Sequence, residues 1–106
     1  SIWIMNSDGT GKTQLTTEED GYCSDPSFSP DGSKIVYNKG FINPGVPFLI
    51  KDSTNEIWVM DSDGSDKHMI YTTGDSLYFL HQSAWGKNNK IIFERIQWEK
   101  PPEIWI

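Results

Sequence analysis

The segment Ile2-Trp3-Ile4-Met5-Asn6-Ser7-Asp8-Gly9 returns as Ile57-Trp58-Val59-Met60-Asp61-Ser62-Asp63-Gly64, with six of the eight positions identical and both changes conservative. Lys12 and Lys67 keep the same spacing, and Glu103-Ile104-Trp105-Ile106 repeats Glu56-Ile57-Trp58-Val59. A weaker pair lies between these copies. Pro26-Ser27-Phe28-Ser29-Pro30-Asp31-Gly32-Ser33-Lys34-Ile35-Val36-Tyr37 is echoed by Ser83-Ala84-Trp85-Gly86-Lys87-Asn88-Asn89-Lys90-Ile91-Ile92-Phe93, one residue shorter in its turn. A period of about fifty residues means that one supersecondary unit is used more than once, and such a unit cannot bury its apolar surface alone. With 106 residues the chain has room for at most one ordinary domain.

Each unit predicts four short strands: a (around 26–29), b (34–38), c (56–61) and d (67–72). The a–b link, Ser29-Pro30-Asp31-Gly32-Ser33, is turn chemistry: Pro30 presets φ, Asp31 can bond the backbone ahead of it, and Gly32 tolerates positive φ. The c–d links turn on Asp8-Gly9 and Asp63-Gly64, a strong hairpin signal. No segment carries a capped apolar stripe of helical period, so essentially no helix is expected. Side chains alternate along a strand, which sends Ile57 and Val59 one way and Trp58 and Met60 the other. Ile35 and Tyr37 oppose Val36 in the same manner, as Ile91 and Phe93 oppose Ile92. Sheets apolar on both faces must be covered on both faces, as when small sheets stack radially around an axis.

The patterns Ile-Trp-x-Met-x-x-Asp-Gly, Leu-Thr and Pro-x-Phe-Ser-Pro-Asp-Gly-x-x-Ile-x-Tyr resemble the WD40-like PD40 repeat of TolB-type β-propellers. The resemblance covers most of the chain except 40–54, and the second unit departs from it where Trp85-Gly86-Lys87-Asn88-Asn89 replaces Ser-Pro-Asp-Gly. It implies an all-β fold, a partial β-propeller made of four-stranded antiparallel blades. Residues 1–16 would form a half blade c–d, 25–72 a complete blade with a loop insertion at 40–54, and 82–106 a partial blade a–b–c. About two blades are present, whereas such propellers close with six. The missing blades are therefore expected either in a longer parent chain or from copies of this one, a homo-oligomer completing the ring. The start at Ser1 and the end within a strand are what a segment cut from a longer chain would show. An isolated chain would expose Trp3, Met5, Ile92, Trp98 and Trp105 in some combination. Burying each such side chain is worth ~1.5–3 kcal/mol, so the lone unit is expected to be marginal or adhesive.

By the same resemblance the function expected is a non-catalytic scaffold that binds a protein or peptide ligand through its b–c and d–a loops. A periplasmic or extracellular location goes with it. The other readings are a propeller fragment of a larger peptidase or hydrolase of tricorn or prolyl-oligopeptidase type, and a self-assembling propeller module. The candidate binding loops are 17–24, 40–55, 74–80 and 97–102, because long loops on a rigid scaffold are where recognition concentrates. Within them Glu18, Glu19 and Asp20 form an acidic patch that Asp75 is expected to join. Phe41, Phe48 and Tyr78 are aromatic candidates, the first two on a segment stiffened by prolines; the competing reading of that segment is a small apolar cluster tucked against the sheet.

Fifteen Asp+Glu against nine Lys+Arg give a net charge of −6, which disfavours a nucleic-acid partner. No apolar run of ~18 residues is present, so no membrane span is expected. The single cysteine, Cys23, excludes an intrachain disulfide. Cys23, His68 and His81 lack metal-ligand spacing, and neither a metal nor another cofactor is expected. Gly9-Thr10-Gly11-Lys12-Thr13 ends like a phosphate loop, but Asn6 stands where its leading glycine belongs and no helix follows. Asp61-Ser62-Asp63-Gly64-Ser65-Asp66 has its glycine two residues too early for an EF-hand and reads as a tight turn. There is no Gly-x-Ser-x-Gly elbow and no Ser/His/acid set that the repeat would bring together, so no catalytic residues are expected.

Overall fold

The computed structural model describes residues 1–40, 55–74, 78–97 and 103–105. They form nine strands: β1 (Trp3–Ile4), β2 (Thr13–Gln14), β3 (Tyr22–Phe28), β4 (Lys34–Gly40), β5 (Glu56–Asp61), β6 (His68–Thr72), β7 (Tyr78–Trp85), β8 (Ile91–Gln97) and β9 (Glu103–Trp105). Among the described residues the only helical segments are single 3-10 turns at Glu18–Asp20 and Lys87–Asn89. The strands pair strictly in chain order and antiparallel, as a two-stranded sheet β1-β2, a four-stranded sheet β3-β4-β5-β6 and a three-stranded sheet β7-β8-β9.

Local chemistry explains the meander. In the β3–β4 turn the Asp31 Oδ1 accepts from the Ser33 N–H (3.0 Å) and from the hydroxyls of Ser29 and Ser33 (2.8 Å each), while Gly32 sits at φ +76°. The β1–β2 and β5–β6 turns repeat the device. Gly9 and Gly64 donate to the carbonyls of Asn6 and Asp61 at 2.9 Å, with φ of +88° and +90°. The turn before β8 lacks such a glycine, and Asn88 and Asn89 take the positive φ instead, asparagine being among the few residues that tolerate it.

The three sheets are piled face to face. One face of the central sheet, here the front, presents Cys23, Ile35, Tyr37 and Met60, with Trp58 half-buried beside them. It is covered by Ile2 and Ile4, at and just before β1, and by Leu15, just after β2. The opposite face, the back, presents Val36, Ile57 and Val59 to Leu80, Trp85, Ile91 and Phe93 of the third sheet. Alternation along β4 and β5 thus feeds two separate cores from one sheet. Val36, Tyr37 and Met60 lose all solvent contact, as burial on both faces requires.

Two strands start earlier than the repeat implied. β3 begins at Tyr22, three residues before the expected boundary at 25, and β7 begins at Tyr78 rather than at 82. Both carry a bulge. The β3–β4 register shifts between Ser24 and Ser27, and the β7–β8 register shifts between His81 and Ala84. Asp25 and Gln82 adopt φ of +54° and +55° at these places. Pro26 has no N–H to give a ladder, so pairing breaks at Asp25-Pro26 and resumes on the far side. The loops expected at 17–24, 74–80 and 97–102 each give up residues to strands. Cys23 and His81 consequently lie within strands.

Candidate binding surface

The Ser62 N–H donates to the Ser33 carbonyl at 2.9 Å, which brings the β3–β4 and β5–β6 turns together at one end of the central sheet. The antiparallel meander then puts the β4–β5 and β6–β7 connections at the other end, the rim. There the Asn55 carbonyl accepts from the Thr73 N–H and the Thr72 hydroxyl, both at 3.2 Å, tying the flanks of the two connections to each other.

The acidic segment leads into β3 as a 3-10 turn. The Asp20 Oδ2 accepts from the Thr17 N–H at 2.8 Å, and Gly21 closes the turn at φ +86°. Asp20 also lies 3.6 Å from the Lys67 Nζ. That pair ties Asp20, half-buried, to the residue just before the edge strand β6 instead of leaving it free on the rim. Glu18 and Glu19 remain exposed. The structure therefore divides the predicted patch into one structural carboxylate and two accessible ones.

Of the other candidates, Phe41, Phe48 and Asp75 lie outside the described residues. Tyr78 has its backbone at the start of β7, opposite Gln97, and its side chain lies outside what is described. The turn residues Asp8, Gly9, Pro30, Asp31, Gly32, Asp63 and Gly64 all fall in the tight turns assigned to them. His68 opens the exposed edge strand β6, with its Nδ1 2.8 Å from the Asp66 carbonyl oxygen. Among the described residues no three His, Cys, Asp or Glu side chains are grouped to hold a metal, and no helix is long and apolar enough to cross a membrane.

Sequence reasoning missed a polar seam between the central and third sheets. The Asp25 Oδ2 accepts from the Gln82 N–H (2.8 Å), and the Ser27 Oγ accepts from the Trp85 N–H (3.1 Å). The Asn38 Oδ1 accepts from both the Ser83 N–H (3.1 Å) and the Ser83 hydroxyl (2.9 Å). The bulge makes this possible by turning β7 backbone donors toward β3. Asn38 is wholly buried directly after the apolar run Ile35-Val36-Tyr37, and that placement was the available signal.

On the front face, Lys39 is also buried, its Nζ 3.8 Å from the centre of the Trp58 ring. The Trp58 Nε1–H donates to the Glu56 Oε1 at 2.9 Å. Burial pushes the Tyr37 hydroxyl and the Cys23 thiol above their ordinary ranges.

Two apolar surfaces remain uncovered at the ends of the pile. On the first sheet Trp3 is 57% and Met5 58% exposed; on the third, Ile92 is 42% and Ile104 74% exposed. A shallow hollow lined by Gln82, Ile92, Phe93, Glu94 and Ile104 marks the second of these. Comparison of the chain with protein-family models, with curated proteins and with solved structures finds no match.

Proposed function

We propose that the chain is part of a β-propeller scaffold, resembling the TolB type, that binds a basic protein or peptide at its rim without catalysing a reaction. The observation that carries this reading is the front-to-back pile of antiparallel meanders. Each meander repeats the same face chemistry, and the pile has no intrinsic end until it closes or meets a partner. Further units of the same kind, to a total of six in the propeller reading, would complete the ring. A rigid scaffold of this sort holds its connecting segments in place, and the rim lies opposite the stereotyped turns. The net charge of −6 and the exposed Glu18 and Glu19 favour a cationic ligand segment there. A periplasmic or extracellular setting belongs to the same proposal.

The test is a titration of the isotope-labelled chain with a lysine- and arginine-rich peptide and with a glutamate-rich control. Amide shifts confined to Glu18, Glu19, Tyr22 and Gly40, for the basic peptide only, are the expected outcome. Reversing both charges, Glu18→Lys with Glu19→Lys, should weaken that binding about tenfold at low salt, with the difference shrinking as salt is added. Equal response to both peptides, or shifts elsewhere than the rim, would overturn the reading.

A further inference from the structure

The two ends of the pile are not merely apolar; they carry matching parts of an interface the chain already contains. Between the first and central sheets, Ile2 and Ile4 pack with Trp58 and Met60. The repeat makes Trp3 the counterpart of Trp58, Met5 of Met60, and Ile104 of Ile57 and hence of Ile2. Alternation puts Trp3 and Met5 on the face of β1 opposite Ile2 and Ile4, so they form a front that no described residue covers. Ile104 and Ile92, the latter the counterpart of Val36, form a back that no described residue covers.

We propose that the chain associates head to tail with a second copy of itself, the Trp3/Met5 face of one copy packing on the Ile92/Ile104 face of the next. The contact repeats part of the one between the first two sheets, with Trp3 and Met5 in the place of Trp58 and Met60 and with Ile104 in the place of Ile2, while Leu15, Cys23, Ile35 and Tyr37 of that contact have no counterpart in it. Two different surfaces meet, so the interface is heterologous. Each copy added exposes a fresh end, and growth stops only if the arrangement closes. Copies carrying a charge of −6 repel one another, so salt should strengthen this association by screening, whereas it weakens capture of a basic peptide at the rim. The inference stands on the piled faces alone and does not depend on the rim reading.

The experiment measures the mass in solution of the 106-residue chain across a concentration series, by light scattering after size exclusion. Wild type should form species larger than a monomer, more so at high salt. Two variants each remove one end: Trp3→Glu with Met5→Glu, and Ile92→Glu with Ile104→Glu. Each should be monomeric alone, and their one-to-one mixture should give a heterodimer and nothing larger, since one intact front then meets one intact back. The milder Trp3→Ser and Ile104→Asn, with circular dichroism of every variant, separate lost association from lost folding. They should raise the concentration needed for association about tenfold with the β-sheet spectrum intact. A monomeric wild type, a variant that still self-associates, or a mixture that stays monomeric overturns the proposal.

Discussion

Asp8, Asp31 and Asp63 hold three turns by one device, a carboxylate that accepts from the backbone N–H two residues ahead and from a hydroxyl on that same residue. Ionised oxygens make the stronger acceptors, so all three carboxyls are held below the usual aspartate range. Asp31 goes furthest, to about 2, through the Ser33 N–H first and then the hydroxyls of Ser29 and Ser33. A group whose folded pKa is depressed contributes stability that is complete above its unfolded value and disappears as pH falls through the folded one. Melting temperature should therefore decline as pH is lowered from about 3.8 toward about 2. Asp31→Asn should melt below the parent at neutral pH, and the gap should narrow across that same window. A gap independent of pH would mean that Asp31 acts through shape and not through charge. These aspartates were legible in the sequence because turn chemistry is local: Asp-Gly dictates a turn whatever surrounds it. Asp20 was not, since its pairing with Lys67 depends on how a neighbouring segment crosses the central sheet.

At the level of elements, the repeat predicted the strand order and the two-faced burial of β4 and β5, because alternation needs only the sequence and the strand period. The bulges in β3 and β7 were hidden. Aspartate and glutamine give little warning of positive φ, and the conformation is held by bonds to another sheet that no local pattern encodes. Those bonds set the expected hierarchy of substitutions. Asn38→Ala would leave the Ser83 N–H buried without its acceptor, a loss of about 1–3 kcal/mol, while the Ser83 hydroxyl keeps the Asp25 carbonyl at 3.4 Å. Ser27→Ala exposes only the half-buried Trp85 N–H to water and should cost less. Urea denaturation of the two variants checks the order, and amide exchange along β7 should accelerate in Asn38→Ala before it does in β5. Equal stability of the two variants would show that the seam adds nothing to the apolar contacts of Val36, Ile57 and Leu80.

For the molecule as a whole, stability should be graded along the pile. The central sheet has four strands and a core on either face, whereas β1-β2 is a two-residue ladder held by one face and β9 is a three-residue edge. A two-stranded ribbon is marginal in water unless something packs on it, and here its outer face, Trp3 and Met5, stands in solvent. Native-state hydrogen exchange should accordingly find the slowest amides in β4 and β5, at Val36, Tyr37, Val59 and Met60. It should find the fastest strand amides in β1, β2 and β9, opening well below the free energy of global unfolding. Coverage of the end faces by a second copy makes this gradient depend on concentration. Protection in β1 and β9 should rise as the chain is concentrated while protection in β4 and β5 stays fixed by global unfolding. A uniform profile would mean that the pile opens as one unit, with its ends as secure as its middle. Protection at the ends that ignores concentration would mean that the exposed faces do not meet each other, however closely their residues match the interface within the chain.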